Sequence, residues 1–138
     1  MSEDPNLDLL REIYAAWARG DYSRNDMFSD DVEFVTGAPE ARIYHGREGA
    51  RRAWFDFLSA WEDFRTEAEE IVRVADDHYV VFTHLIGRGK ESHVPTEGAT
   101  ANVVLFRDGQ IVRLELHWDR DEARRSAQEL ATRRATRR

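Results

Sequence analysis

Asp119 and His117 are the side chains in this sequence best spaced for shared acid–base chemistry. Residues two apart on a strand project from one face about 7 Å apart, so a carboxylate and an imidazole there reach one small molecule. Glu115 and Asn102 extend the same row, Asn102 suited to orient a carbonyl and Glu115 to pair with Arg113. An aspartate at the mouth of an aromatic cavity is poorly solvated, which suits it as a general acid or base toward a carbon-bound proton. Structural roles stand beside these. Asp119 can cap a following helix, His117 can bond Thr100 across a hairpin, and Glu115–Arg113 can be a same-strand ion pair.

Further ligand contacts come from Tyr14, Trp17, Trp54 and Leu58 on two helices, and from His84 in the apolar run HYVVFTHLIG. Tyr14 and Trp17 also lie on a stripe that reads as core. His93 falls in a polar loop, and His45 and His78 fall at turns. No HxH or HxxxH spacing gathers the histidines, so no metal site is expected. The absence of cysteine excludes thiolate chemistry and disulfides. Gly87-Arg88-Gly89 lacks the helix and spacing of a phosphate loop, and no serine sits in a nucleophile elbow. No cofactor is expected.

The row around Asp119 needs a hairpin to hold it. Asp108-Gly109, flanked by alternating runs, is a strong signal for a two-residue turn. Counting outward pairs Phe106 with Ile111, Val104 with Arg113, Asn102 with Glu115 and Thr100 with His117. Thr100, Asn102, Arg113, Glu115, His117 and Asp119 then share one face. Ala101, Val103, Leu105, Val112, Leu114, Leu116 and Trp118 share the other. Either the polar face is solvated and the apolar face is core, or the polar face lines a pocket and the apolar face meets a second copy.

The remaining elements follow from periodicity. Leu7, Leu10, Ile13, Tyr14 and Trp17 mark a helix over 7–19, started by Asp4-Pro5 and ended by Gly20. A short helical turn over 21–29 sets Met27 and Phe28 inward, and 31–35 alternates as a strand. Ala38-Pro39-Glu40 breaks it, Ile43-Tyr44 forms a brief strand, and His45-Gly46 turns the chain. Ala50, Ala53, Trp54, Phe57, Leu58 and Trp61 stripe a helix over 47–61. A strand over 64–74 alternates poorly, which points to a bulge near Glu70-Ile71 or to an exposed edge, a two-faced apolar strand covers 78–87, and 88–97 is a polar loop. Asp119-Arg120-Asp121-Glu122-Ala123 opens a last short helix, and 128–138 reads as a solvated basic tail.

These elements make an α+β domain. A strongly curved, mixed or antiparallel sheet wraps N-terminal helices into a cone with an open pocket. With 138 residues, 41% hydrophobic, the chain fits one domain with a real core. A net charge of −7 argues against nucleic acid. No run approaches the roughly 18 apolar residues of a membrane span, and the acidic N-terminus is unlike a secretory signal, so a cytoplasmic protein is expected.

The element order, the aromatic helix after His45-Gly46 and the ending FRDGQIVRLELHWDRDEA resemble the nuclear transport factor 2-like superfamily. Within it they resemble the SnoaL-like, polyketide cyclase-like branch, over about residues 7–127. The resemblance implies a cystatin-like cone. It also implies that Asp119, closing a His117-Trp118-Asp119 triplet, faces the pocket as the acid/base. The continuation Arg120-Asp121-Glu122-Ala123 resembles uncharacterised relatives. Two functions stay open. One is a cofactor-free isomerase, cyclase or dehydratase acting on a small apolar carbonyl compound, with Asp119 and His117 catalytic. The other is a non-catalytic ligand-binding or dimer-scaffold protein. A homodimer through the outer sheet face is expected in either case.

Overall fold

Asp4 starts the first helix by accepting a hydrogen bond from Leu7 N at 3.1 Å, and Pro5 supplies a preset φ where no N–H is needed. In the computed structural model, which describes residues 4–36 and 42–136, α1 spans Pro5–Ala18 and buries Leu10, Ile13, Tyr14 and Trp17. Gly20 ends it at φ +80°, a conformation other residues adopt at a cost. No helix forms over 21–27, contrary to expectation. Asp21 accepts from Ser23 N and Oγ instead, a local bond that competes with helix formation. Met27 and Phe28 still point inward, and Phe28 already opens β1 (Phe28–Thr36).

The expected break at Ala38-Pro39-Glu40 lies outside the described residues. β2 (Arg42–His45) leads through Gly46, at φ +77°, into α2 (Gly46–Leu58). This helix is shorter than expected because Trp61 already belongs to β3 (Trp61–Ala75). β3 carries its interruption between Ala68 and Glu70, close to the expected place. β4 (His78–Gly89) follows, and β5 (Pro95–Arg107) begins inside the stretch expected to be loop. β6 (Gln110–His117) and α3 (Arg120–Thr136) complete the chain.

One six-stranded sheet results, ordered β2-β1-β6-β5-β4-β3, antiparallel except where β1 runs parallel to β6. This mixed, curved sheet with helices is the α+β class expected. Its inner face holds α1, α2 and a core of Phe28, Phe34, Tyr79, Val81, Val104, Phe106, Ile111 and Leu114.

The hairpin departs from the expected register after one pair. Phe106 is opposite Ile111 as counted, but Leu105 is then opposite Arg113, Val104 opposite Leu114 and Asn102 opposite Leu116. Val112 is the extra residue of a β-bulge, and one residue moves every later side chain to the other face. Thr100 and Asn102 remain inside, now beside Leu114, Leu116 and Trp118. Arg113, Glu115 and His117 lie outside. The expected single polar row is therefore split between two faces.

The outer face is covered by the chain itself. Ala123, Ala127 and Leu130 of α3 pack on Val72, Val80, Phe82, Ala101, Val103 and Leu105. Their spacing of four and three continues one helical stripe, so α3 runs through Thr136 where a tail was expected from about 128. Arg120 anchors its first turn. Its Nε donates to Thr100 O at 3.1 Å, and its Nη2 to Thr83 O at 2.9 Å and Glu69 Oε1 at 2.7 Å. The surface expected to pair two copies is thus divided. Ala101 and Val103 lie beneath α3, and Leu114 is buried inside.

Candidate functional site

Between α2, the start of β3 and the inner face of β4, β5 and β6 lies a cavity of about 480 Å³. Aromatic rings dominate its wall: Tyr44, Trp54, Phe57, Trp61, Phe64 and Trp118. Phe57 is the hub, its ring 4.9 Å from Phe64, 6.2 Å from Trp61 and 6.4 Å from Trp118. Gly87 makes room for this wall, since a Cβ there would stand 2.8 Å from the Trp61 ring. Leu85 and Leu116 line the sheet side, and Arg42 and Asp56 border the mouth.

The buried polar side chains on the wall are Asn102 and Thr66, 5% and 6% exposed. Asn102 Nδ2 donates to Tyr14 Oη at 2.6 Å. Burial pushes the Tyr14 phenol far above its ordinary 10, against the opposing bond from Asn102, so it stays neutral. Tyr22 donates to Phe64 O at 3.2 Å and meets Thr66 Oγ1 at 3.2 Å. Burial pushes its phenol up to about 12. Thr100 and Thr83 hydroxyls pair at 2.6 Å. Trp54 Nε1 is sealed from solvent without a hydrogen-bond partner among the described residues, hemmed by the rings of Trp17, Tyr22 and Phe34.

The expected acid–base pair is not brought together in this cavity. Asp119 is exposed, and its Oδ1 accepts from Asp121 N at 2.7 Å and Glu122 N at 3.3 Å, the capping role. The poor solvation expected of its carboxylate is absent. His117 borders the cavity at the end of β6, but its Nε2 lies 2.8 Å from Glu115 Oε1 on the outer side. Glu115 is buried beneath α3. It also accepts from Arg113 Nε at 2.6 Å and Ser126 Oγ at 2.5 Å, while Arg113 reaches Glu33 at 2.9 Å. Burial alone would raise the Glu115 carboxyl, yet the bonds from His117, Ser126 and Arg113 outweigh it and hold it at about 2.

Of the expected ligand contacts, Trp54 and Asn102 line the cavity. Tyr14 stands behind Asn102, Trp17 lies wholly in the core, and Leu58 packs on that core from α2. His84 lies on the outer face near Glu97, 3.5 Å away. The sequence reading missed Phe57, Trp61 and Phe64 as wall residues, having placed the first two in a helical core stripe. It set Leu116 and Trp118 on the wrong face. The signal available was bulk, since Leu114, Leu116 and Trp118 match a face of large rings better than Arg113, Glu115 and His117. Among the described residues, no three His, Asp or Glu side chains gather as metal ligands, and no helix is long and apolar enough to cross a membrane.

Known proteins share this architecture. An uncharacterised protein of Mycobacterium tuberculosis is 30% identical over 117 residues, covering 83% of this chain and 88% of its own. An NTF2-like protein of unknown function from Burkholderia pseudomallei superposes with a TM-score of 0.73 at 19% identity, over 88% of this chain and 96% of that one. TerC, co-crystallised with polyporic acid, superposes at 0.72 with 18% identity, over 91% and 99%. At such identities the superpositions speak for the fold alone. The SnoaL-like domain family matches residues 10–114, most of the length, and the chain belongs to that family.

Proposed function

We propose that the protein binds a small, flat, largely apolar molecule in the inner-face cavity. The wall carries this reading. A space of about 480 Å³ bounded by six aromatic side chains, with two buried polar groups at depth, fits the usual form of small-molecule sites. TerC, of the same fold, was co-crystallised with polyporic acid, which supports taking such a cavity as ligand-binding.

Catalysis is a second reading, favoured by Asp56. Its residue borders the mouth from α2, and no ion pair engages its carboxylate among the described residues. In that reading Asp56 carries a proton to or from carbon in a small carbonyl compound, as in isomerase, cyclase or dehydratase chemistry. Asp119 and His117 would first have to leave the helix cap and Glu115 to share the role.

Isothermal titration calorimetry with 2-naphthol tests the binding reading. Wild type is expected to bind, and Leu116→Trp, which fills the cavity, is expected to weaken binding at least tenfold with an unchanged melting curve. No binding by wild type, or equal affinity in the variant, would refute it.

A further inference from the structure

The buried wall has a definite hydrogen-bonding polarity. Phe64 O can only accept, so the Tyr22 proton goes there, and Thr66 must then donate to Tyr22 Oη. The Thr66 proton is thereby spent, and its oxygen keeps a free lone pair beside the cavity. Asn102 gives one Nδ2 proton to Tyr14, and its Oδ1 has no partner among the described residues. Asn102 is nevertheless 95% removed from solvent by its 5% exposure, so water is a limited substitute. Trp54 Nε1 supplies no donor to the open space, because it is sealed among rings. Two acceptors and one remaining amide N–H therefore meet whatever lies against the aromatic wall.

We propose that the cavity selects aromatic molecules bearing a hydroxyl, phenols and their relatives, whose O–H donates to Asn102 Oδ1 or Thr66 Oγ1. This rests on the binding reading above and adds the class of ligand. A hydroxyl satisfies both sides of the amide, giving its proton to Oδ1 and accepting from the remaining N–H. An ether or ketone of the same shape satisfies only the N–H, leaving both acceptors facing apolar rings. Tyr14 is a positioning residue here, because its bond to Nδ2 decides which end of the amide the ligand meets.

The test compares 2-naphthol with 2-methoxynaphthalene, the same ring with its O–H capped, by calorimetry on the full chain. Wild type is expected to prefer 2-naphthol about fivefold, the worth of one hydrogen bond. Asn102→Leu should bring the ratio toward one, because 2-naphthol loses both the acceptor and the N–H whereas 2-methoxynaphthalene loses only the N–H. Thr66→Val, which keeps the shape of the wall, should lower the ratio and carries the test if Asn102→Leu does not fold. Equal affinities in wild type, preference for the ether, or a ratio retained in both variants would overturn the proposal while leaving the binding reading intact. If neither probe binds wild type, both fall.

Discussion

Leu105 stands opposite Arg113 across β5 and β6, one residue away from the partner that the Asp108-Gly109 turn alone would give it. Val112 absorbs the difference, so deleting it should close the bulge and leave Leu105 opposite Arg113 and Val104 opposite Leu114. Arg113, Glu115 and His117 would keep the outer face, and Glu115 its bond from Ser126. The deletion variant is expected to keep its near-ultraviolet circular dichroism. Loss of that spectrum would show that the bulge is needed for the fold and not only for the register.

Leu114 separates a core face from a dimer face. It is 1% exposed within a single copy, so Leu114→Asp is expected to give an unfolded chain, with a loss of more than about 3 kcal/mol. A folded monomer in sedimentation would instead restore the interface reading.

Asp119→Ala should cost about 1 kcal/mol, the usual worth of an N-cap, and leave 2-naphthol affinity unchanged. Chemical denaturation and calorimetry on the same sample read both quantities. A large change in affinity with unaltered stability would return Asp119 to the ligand.

Glu115 sets an acid limit on the docking of α3. Its carboxyl is held at about 2 against an ordinary 4.5, so the folded form binds protons less readily than the unfolded form. The stabilisation is full above about 4.5 and is lost as pH falls toward 2. Wild type should therefore lose stability across that window, and Glu115→Gln should flatten the dependence. The variant should also be less stable at neutral pH, since Arg113 and His117 lose their charged partner. An identical acid profile in the variant would count against this account.

Gly87→Ala would bring a methyl group to 2.8 Å from the Trp61 ring. The ring must move, which reshapes the cavity at one wall. A shift in tryptophan emission and a several-fold change in 2-naphthol affinity are expected, with only a modest change in melting. Unchanged emission and affinity would mean that Trp61 yields without altering the site.

Much of the fold was legible because its signals are local. Asp4-Pro5 and Gly20 bracket α1, and Asp108-Gly109 adopts the positive φ of its turn, +51° and +81°. Gly46 begins α2 where the sequence turns. The site was less legible because it depends on parity along β6. In IVRLELHW, polar and apolar residues alternate, and nothing local marks where an extra residue enters. The choice is made at a distance, by large rings needing Leu116 and Trp118 on one side and by Ala123 and Ala127 covering the other. Trp61 was misread for a related reason, since its spacing from Trp54 and Phe57 suits a helix that in fact ends at Leu58.

Arg120 touches the carbonyls of Thr83 and Thr100 from the outer face, and the hydroxyls of the same two residues bond each other on the inner face. The two threonines are also register partners in the ladder. That crossing of β4 and β5 is riveted through both sides of the sheet, so it acts as the fixed jaw of the cavity. Any widening to admit a ligand must come from the opposite jaw, where α2 carries Trp54 and Phe57. Entry and release rates should accordingly respond to changes in how α2 is seated on β1, and hardly at all to changes on the outer face of β4 beside Thr83.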